Sequence, residues 1–138
     1  MNKFIDDLNK LIKTDQLERS VALSVHASIT DRIFNKGKSA SNTNIGNYSS
    51  GYIKARVKRN WGSSRKVILQ LTGQMKNDFS VIKEGDDYGS GFKNVKNGQK
   101  SRWVEETYKK SIFSPTKKEE KLANKLYAAG VKRITSRD

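Results

Sequence analysis

Val67-Ile68-Leu69-Gln70-Leu71-Thr72-Gly73-Gln74-Met75-Lys76-Asn77-Asp78-Phe79-Ser80 is the stretch on which the reading of this chain turns. A continuous apolar run from Val67 to Leu71 meets Thr72-Gly73, and apolar residues then return at Met75, Phe79 and Ile82, spaced by four and three as on one helix face. The pattern predicts a buried segment that turns into a short amphipathic helix. Thr72 is its candidate N-cap, with a hydroxyl placed to accept from a backbone N–H two or three residues on, and Gly73 permits the tight turn.

Toward the N-terminus, Phe4, Ile5, Leu8, Leu11 and Ile12 recur at helical spacing and predict a short first helix. Thr14 or Asp15 is the expected cap of a second, longer one, in which Leu17, Val21, Val25, Ile29 and Ile33 repeat every four residues. His26 lies inside it. With no second histidine, no cysteine and Thr30 rather than a carboxylate four residues on, it lacks metal-ligand spacing and reads as a structural or surface histidine. Residues 35 to 51 are rich in Gly, Ser and Asn, with only Ala40, Ile45 and Tyr48 as anchors, so a long arm that orders only against a neighbour is expected. Residues 53 to 59 then alternate apolar and basic. In extended form Ile53, Ala55 and Val57 would face one way and Lys54, Arg56 and Lys58 the other, a basic ribbon with Tyr52 and Trp61 at its ends.

Toward the C-terminus, residues 80 to 83 and 88 to 95 flank Glu84-Gly85-Asp86-Asp87, which reads as a hairpin turn. Asn97-Gly98 reads as a second, giving an antiparallel sheet of three or four strands with Trp103-Val104 on the last. The paired acids Asp86-Asp87 and Glu105-Glu106 invite a reading as general acid and base or as a metal site. Adjacent acids point to opposite faces of a strand and are solvated on a turn, so neither pair suits acid–base work. Pro115 stops the extended chain, and Thr116 with Glu119 forms a capping box for a last helix with Leu122, Ala123, Leu126 and Tyr127 on its apolar side. Gly130 is a candidate early stop.

The expected fold class is α+β: two N-terminal helices and one C-terminal helix packed on a small antiparallel sheet. A single domain over residues 1–138 carries a long basic arm or loop at about residues 35–66. Hydrophobic residues make up 34% of the chain, below the usual share for a globular protein, so a thin core completed by an assembly is expected. Cysteine is absent, which removes disulfides and thiolate metal sites. No cofactor, metal or catalytic residue is indicated, and the acids near Met1 argue against a signal peptide. The net charge of +14 is concentrated in the middle third, where residues 33 to 76 hold nine bases and no acid. Such a field attracts phosphate backbones or acidic protein surfaces. The residues expected to make subunit or partner contacts are Lys36, Lys38, Tyr48, Tyr52, Lys54, Arg56, Lys58, Arg59, Trp61 and Arg65.

Ile68-Leu69-Gln70-Leu71-Thr72-Gly73-Gln74-Met75 at mid-chain, with Phe113-Ser114-Pro115-Thr116-Lys117-Lys118-Glu119 opening the last helix, resembles the tail-completion or virion-morphogenesis proteins of tailed bacteriophages. The likeness spans about residues 20 to 130, and its motif residues are Leu71, Thr72, Gly73, Met75, Phe79, Phe113, Pro115, Thr116 and Glu119. Met75 stands where that family usually has leucine. The resemblance implies a structural virion protein that forms a homo-oligomeric ring of six or twelve copies in the neck or at the head-proximal end of the tail. It would be assembled in the host cytoplasm and would join portal or head-completion proteins to the tail tube, with transient contact to DNA in the lumen and none to a membrane. The competing reading is a basic nucleic-acid-binding protein, with the ribbon on phosphates and Tyr52 and Trp61 stacked on bases.

Overall fold

The structure is a computed structural model and describes residues 2–60, 67 and 74–135. The Thr72 cap with Leu71 and Gly73, and also Trp61 and Arg65, lie outside the described residues. Those described form five α-helices and one two-stranded antiparallel sheet, an α+β arrangement.

One helix stands where two were expected. Helix α1 runs unbroken from Lys3 to Thr30, about 42 Å at 1.5 Å per residue. Asn2 caps it by accepting from the Phe4 N–H. Thr14 does not start a new helix because its hydroxyl donates back to the Lys10 carbonyl at 2.9 Å. Asp15 instead accepts from Lys83 and from the Tyr88 hydroxyl across the fold. A π-helical turn, Asp31–Asn35, follows α1. Its wider winding lets the consecutive side chains Arg32, Ile33 and Phe34 all enter the interior, which three successive positions of a regular helix do not do.

The segment expected as a detached arm folds back onto the body. Lys38 bridges Asn44, Ser39 N–H donates to Thr43 O at 2.7 Å, and Asn42 turns the chain at φ +61°. Ala40 N–H donates to Ser111 O and Ile45 N–H to Gly37 O, so both ends of the turn are tied down. The entropy argument failed here because one apolar anchor sits fully inside: Ile45 is 1% exposed. The residues read as a basic ribbon are helix α2, Ser50–Lys58, capped by the Ser49 side chain on Tyr52 N–H. Alternation of period two was misleading because Ala, Lys and Arg are strong helix formers and only Ile53 and Val57 favour a strand.

Helix α3 spans only Gln74–Asp78, so Phe79 and Ile82 belong to strand β1, Phe79–Glu84, and not to one helix face with Met75. Strand β2, Asp87–Phe92, pairs with β1 in the register Phe79 with Phe92 and Glu84 with Asp87. Gly85 at φ +60° opens the two-residue turn, as the sequence suggested. The second hairpin and third strand are replaced by helix α4, Val95–Tyr108. Asn94 caps it, and Asp78 holds the entry by accepting from Asn94 N–H and Asn97 Nδ2. Asn97, Ser101, Val104 and Tyr108 share its inner face, a helical period hidden from a hydrophobicity scan because half of it is polar.

Helix α5, Lys117–Thr135, opens on the expected capping box. Thr116 N–H donates to Glu119 Oε1 at 2.8 Å, and Glu119 N–H to Thr116 Oγ1 at 3.0 Å. Gly130 does not stop this helix. It is buried where Leu17 of α1 packs, and an added Cβ would lie 2.2 Å from a Leu17 methyl. The core between these elements holds Val25, Ile29, Ile33, Phe34, Ile45, Val67, Phe79 and Ile112, with Met75, Phe92 and Phe113 against it. Phe79 is its centre, with ring centroids 5.0 Å from Phe92, 5.8 Å from Phe113 and 6.0 Å from Phe34.

Two outcomes are expected. Thr116→Ala costs about 1 kcal/mol, the usual loss for an N-cap oxygen, measured by chemical denaturation. In hydrogen exchange on the isolated protein, the amides of Lys38, Ser39, Ala40 and Ile45 are protected well beyond random-coil rates, because each donates to a backbone carbonyl.

Candidate contact surfaces

Arg32 and Glu119 are 5% and 4% exposed and meet at 3.2 Å. Arg32 Nε donates to both Glu119 oxygens, Nη1 to the carbonyls of Lys38 and Ile112, and Nη2 to that of Ser114. Glu119 also accepts from Ser28 Oγ, besides its capping bond. The pair joins the end of α1, the 38–45 turn, the 112–114 connection and α5 at one point. Charge counting along the sequence passed over Arg32, although a lone arginine inside Ile29-Thr30-Asp31-Arg32-Ile33-Phe34 signals a buried cation that requires a partner.

The residues assigned to the arm divide into three groups. Lys36 and Lys38 are tethered locally, Lys36 to Asp31 at 3.1 Å and Lys38 to the Asn44 side chain at 2.8 Å. Arg56 is buried at 3% exposure, with its guanidinium 4.6 Å from the Tyr48 ring and 5.8 Å from that of Tyr52. Tyr48 and Tyr52 are themselves 5.0 Å apart. Arg56 is thus a packing residue, and Tyr52 is partly engaged rather than a free stacking platform. Lys54, Lys58 and Arg59 remain exposed, with Lys54 and Lys58 one turn apart and Val57 beside them. Among the motif residues, Met75 is half-buried, Phe113 packs on Phe79 and Phe92, and Pro115 is exposed at the entry to α5.

Two further surfaces were not singled out by the sequence. Every residue of α1 from Lys3 to Lys13 is exposed, and Phe4, Ile5, Leu8, Leu11 and Ile12 are between 43% and 70% exposed. The helical stripe is real, but α5 covers α1 only from about Leu17 inward, where Gly130 meets it. The other surface is a groove of about 890 Å³ between the second half of α1, β2 and α5. Val21, Val25, Phe113 and Ala123 contribute apolar lining, and Glu18, Asp87, Glu105, Glu119 and Glu120 contribute carboxylates. No lysine or arginine lines it among the described residues.

Among the described residues no three His, Cys, Asp or Glu side chains converge as a metal site. No described helix is long and apolar enough to cross a membrane. Asp86 and Asp87 are exposed around the hairpin turn, while Glu105 accepts from Ile112 N–H at 2.7 Å and serves the turn after α4. His26 is structural. A carbonyl can only accept, so Nε2 carries the proton toward Phe79 O at 3.1 Å, and Nδ1 accepts from Ser90 Oγ at 2.8 Å. Burial holds its pKa below the ordinary 6.5, against a smaller opposing effect of the bond to Phe79.

A pH dependence follows. Above pH 6.5 the ring is neutral in both folded and unfolded chains; below it the unfolded chain takes up a proton that the folded chain resists. Stability is therefore present above the unfolded pKa and is lost as pH falls through the lowered folded value. Urea midpoints measured from about pH 8 down to about pH 5 should fall for the native protein and fall less for His26→Gln.

Compared with known proteins, the chain matches no family model, no curated protein and no solved structure.

Proposed function

We propose that this chain is a structural subunit that acts through its surfaces, forming a ring in the neck or at the head-proximal tail end of a tailed phage and joining head-completion or portal proteins to the tail. The observation that carries the reading is the exposed stripe on the first half of α1. Full burial of a large apolar side chain contributes roughly 1.5–3 kcal/mol, and five of them at helical spacing face solvent here. A protein whose own core is small holds back apolar surface of this kind for an assembly. The virion setting rests on the mid-chain and pre-helix motifs, of which Phe113, Pro115, Thr116 and Glu119 form the tied entry to α5. Contacts that repeat around a ring must be heterologous and close on themselves.

The exposed cations Lys54, Lys58 and Arg59 favour one alternative, binding to nucleic acid as the protein's main role. The two readings separate in solution. For the ring reading, sedimentation velocity and negative-stain images of the purified protein should show closed oligomers at high concentration. Leu8→Asp with Leu11→Asp should weaken them while leaving helix content and the unfolding midpoint unchanged. A monomer at every concentration, coupled with duplex binding whose log–log salt slope falls by roughly 0.9 for each of the three cations neutralised, would establish the alternative instead.

A further inference from the structure

The acidic groove and the basic face of α2 are opposites on one molecule. The chain carries a net charge of +14, yet the groove is lined by five carboxylates and, among the described residues, by no cation. Two of the five are committed to the fold, Glu119 to Arg32 and Glu105 to the Ile112 and Phe113 amides. Glu18, Asp87 and Glu120 form no ion pair among the described residues, and Glu18 is half-buried against the apolar lining. A carboxylate partly withdrawn from water and facing no cation is stabilised by a partner that brings one.

The face of α2 that points away from the core carries the opposite charge. Lys54 and Lys58 sit one turn apart, Val57 lies beside them at 50% exposure, and no acid occurs anywhere from residue 33 to residue 76. We infer that the groove of one copy receives the Lys54–Val57–Lys58 face of α2 from a second copy. The lysines oppose Glu18, Asp87 and Glu120, and Val57 enters the apolar lining beside Val21 and Ala123. Different patches meet in this contact, so it is heterologous and propagates around a ring. The inference rests on the ring reading and names one of its interfaces. Like-charge repulsion keeps the basic faces of two copies apart and sets the orientation.

A charge-exchange experiment on the full chain tests it. Variant A carries Lys54→Glu with Lys58→Glu, and variant B carries Glu18→Lys with Glu120→Lys; none of the four residues holds an ion pair within the described fold. Native protein should self-associate more weakly as salt rises. Each variant alone should lose self-association by about a hundredfold, because like charges then face each other. An equimolar mixture should regain it as an alternating assembly, since A offers an acidic face and a native groove while B offers a basic groove and a native face. Unchanged circular dichroism and unfolding midpoints verify folding, and Glu18→Gln with Glu120→Gln, which adds no new charge, should give an intermediate loss.

Four results would overturn the inference. Oligomers that form equally well from either variant alone would place the interface elsewhere and leave the ring reading standing. Loss in both variants without recovery in the mixture would show that the two surfaces do not meet. Native protein that stays monomeric at every concentration would remove the contact and the ring reading together. Loss of duplex DNA retention in variant A, with self-association intact, would assign the face to nucleic acid instead.

Discussion

The buried pair Arg32–Glu119 is the constraint on which the described structure depends. Four of the five N–H groups of the guanidinium reach oxygen: one faces the carboxylate and three reach backbone carbonyls of segments far apart in sequence. Removing one member of such a pair typically costs about 3–5 kcal/mol, because the other charge stays buried without compensation, whereas a well-packed apolar replacement of both can be neutral. The pair therefore acts less as a source of stability than as a means of making one arrangement the only satisfied one. The 38–45 turn has few apolar residues of its own, and the guanidinium ties its Lys38 carbonyl to the carbonyls of Ile112 and Ser114, whose segment is already anchored by Ile112 and Phe113.

Around that point the core is small and aromatic. Phe79 sits at the start of β1 and touches the rings of Phe34, Phe92, Phe113 and His26, so the two-stranded hairpin is held by what it packs on. A lone hairpin is marginal in water, and this one leans on α1 through Asp15, which binds Lys83 and Tyr88, and through His26, which binds Ser90. Lys83 beside Asp15 holds that carboxyl below the usual carboxylate range. Packing of the hairpin against α1 buries the His26 ring, and that burial is what lowers its pKa.

The surfaces left over are what an assembly can use. The first turns of α1 extend beyond α5 and carry apolar side chains into solvent; the α2 face is cationic; the groove beside α5 is anionic and apolar. On the proposed reading these are the surfaces through which contacts with other subunits would be made.

Residues whose chemistry is satisfied by near neighbours in the sequence were legible from it. The Gly85 turn, the hairpin around it, the Thr116–Glu119 capping box and the helical period of α1 all rest on interactions or steric preferences a few residues long. What misled was local pattern contradicted by distant contacts. Ile53 to Lys58 alternates like a strand but is helical and buries Arg56 against Tyr48; Asn97-Gly98 signals a turn but lies in the first turn of a helix whose entry Asp78 grips from another element. Residues 35 to 51 look too polar to fold, yet Ile45 and the Arg32 guanidinium hold the first part in place. The sequence by itself determined the class, the charge and the short motifs, because propensity, capping and composition are local. Only the tertiary structure decided which charges are buried, which helix face stays uncovered and that five of the acids line one groove, because each depends on which distant segments meet.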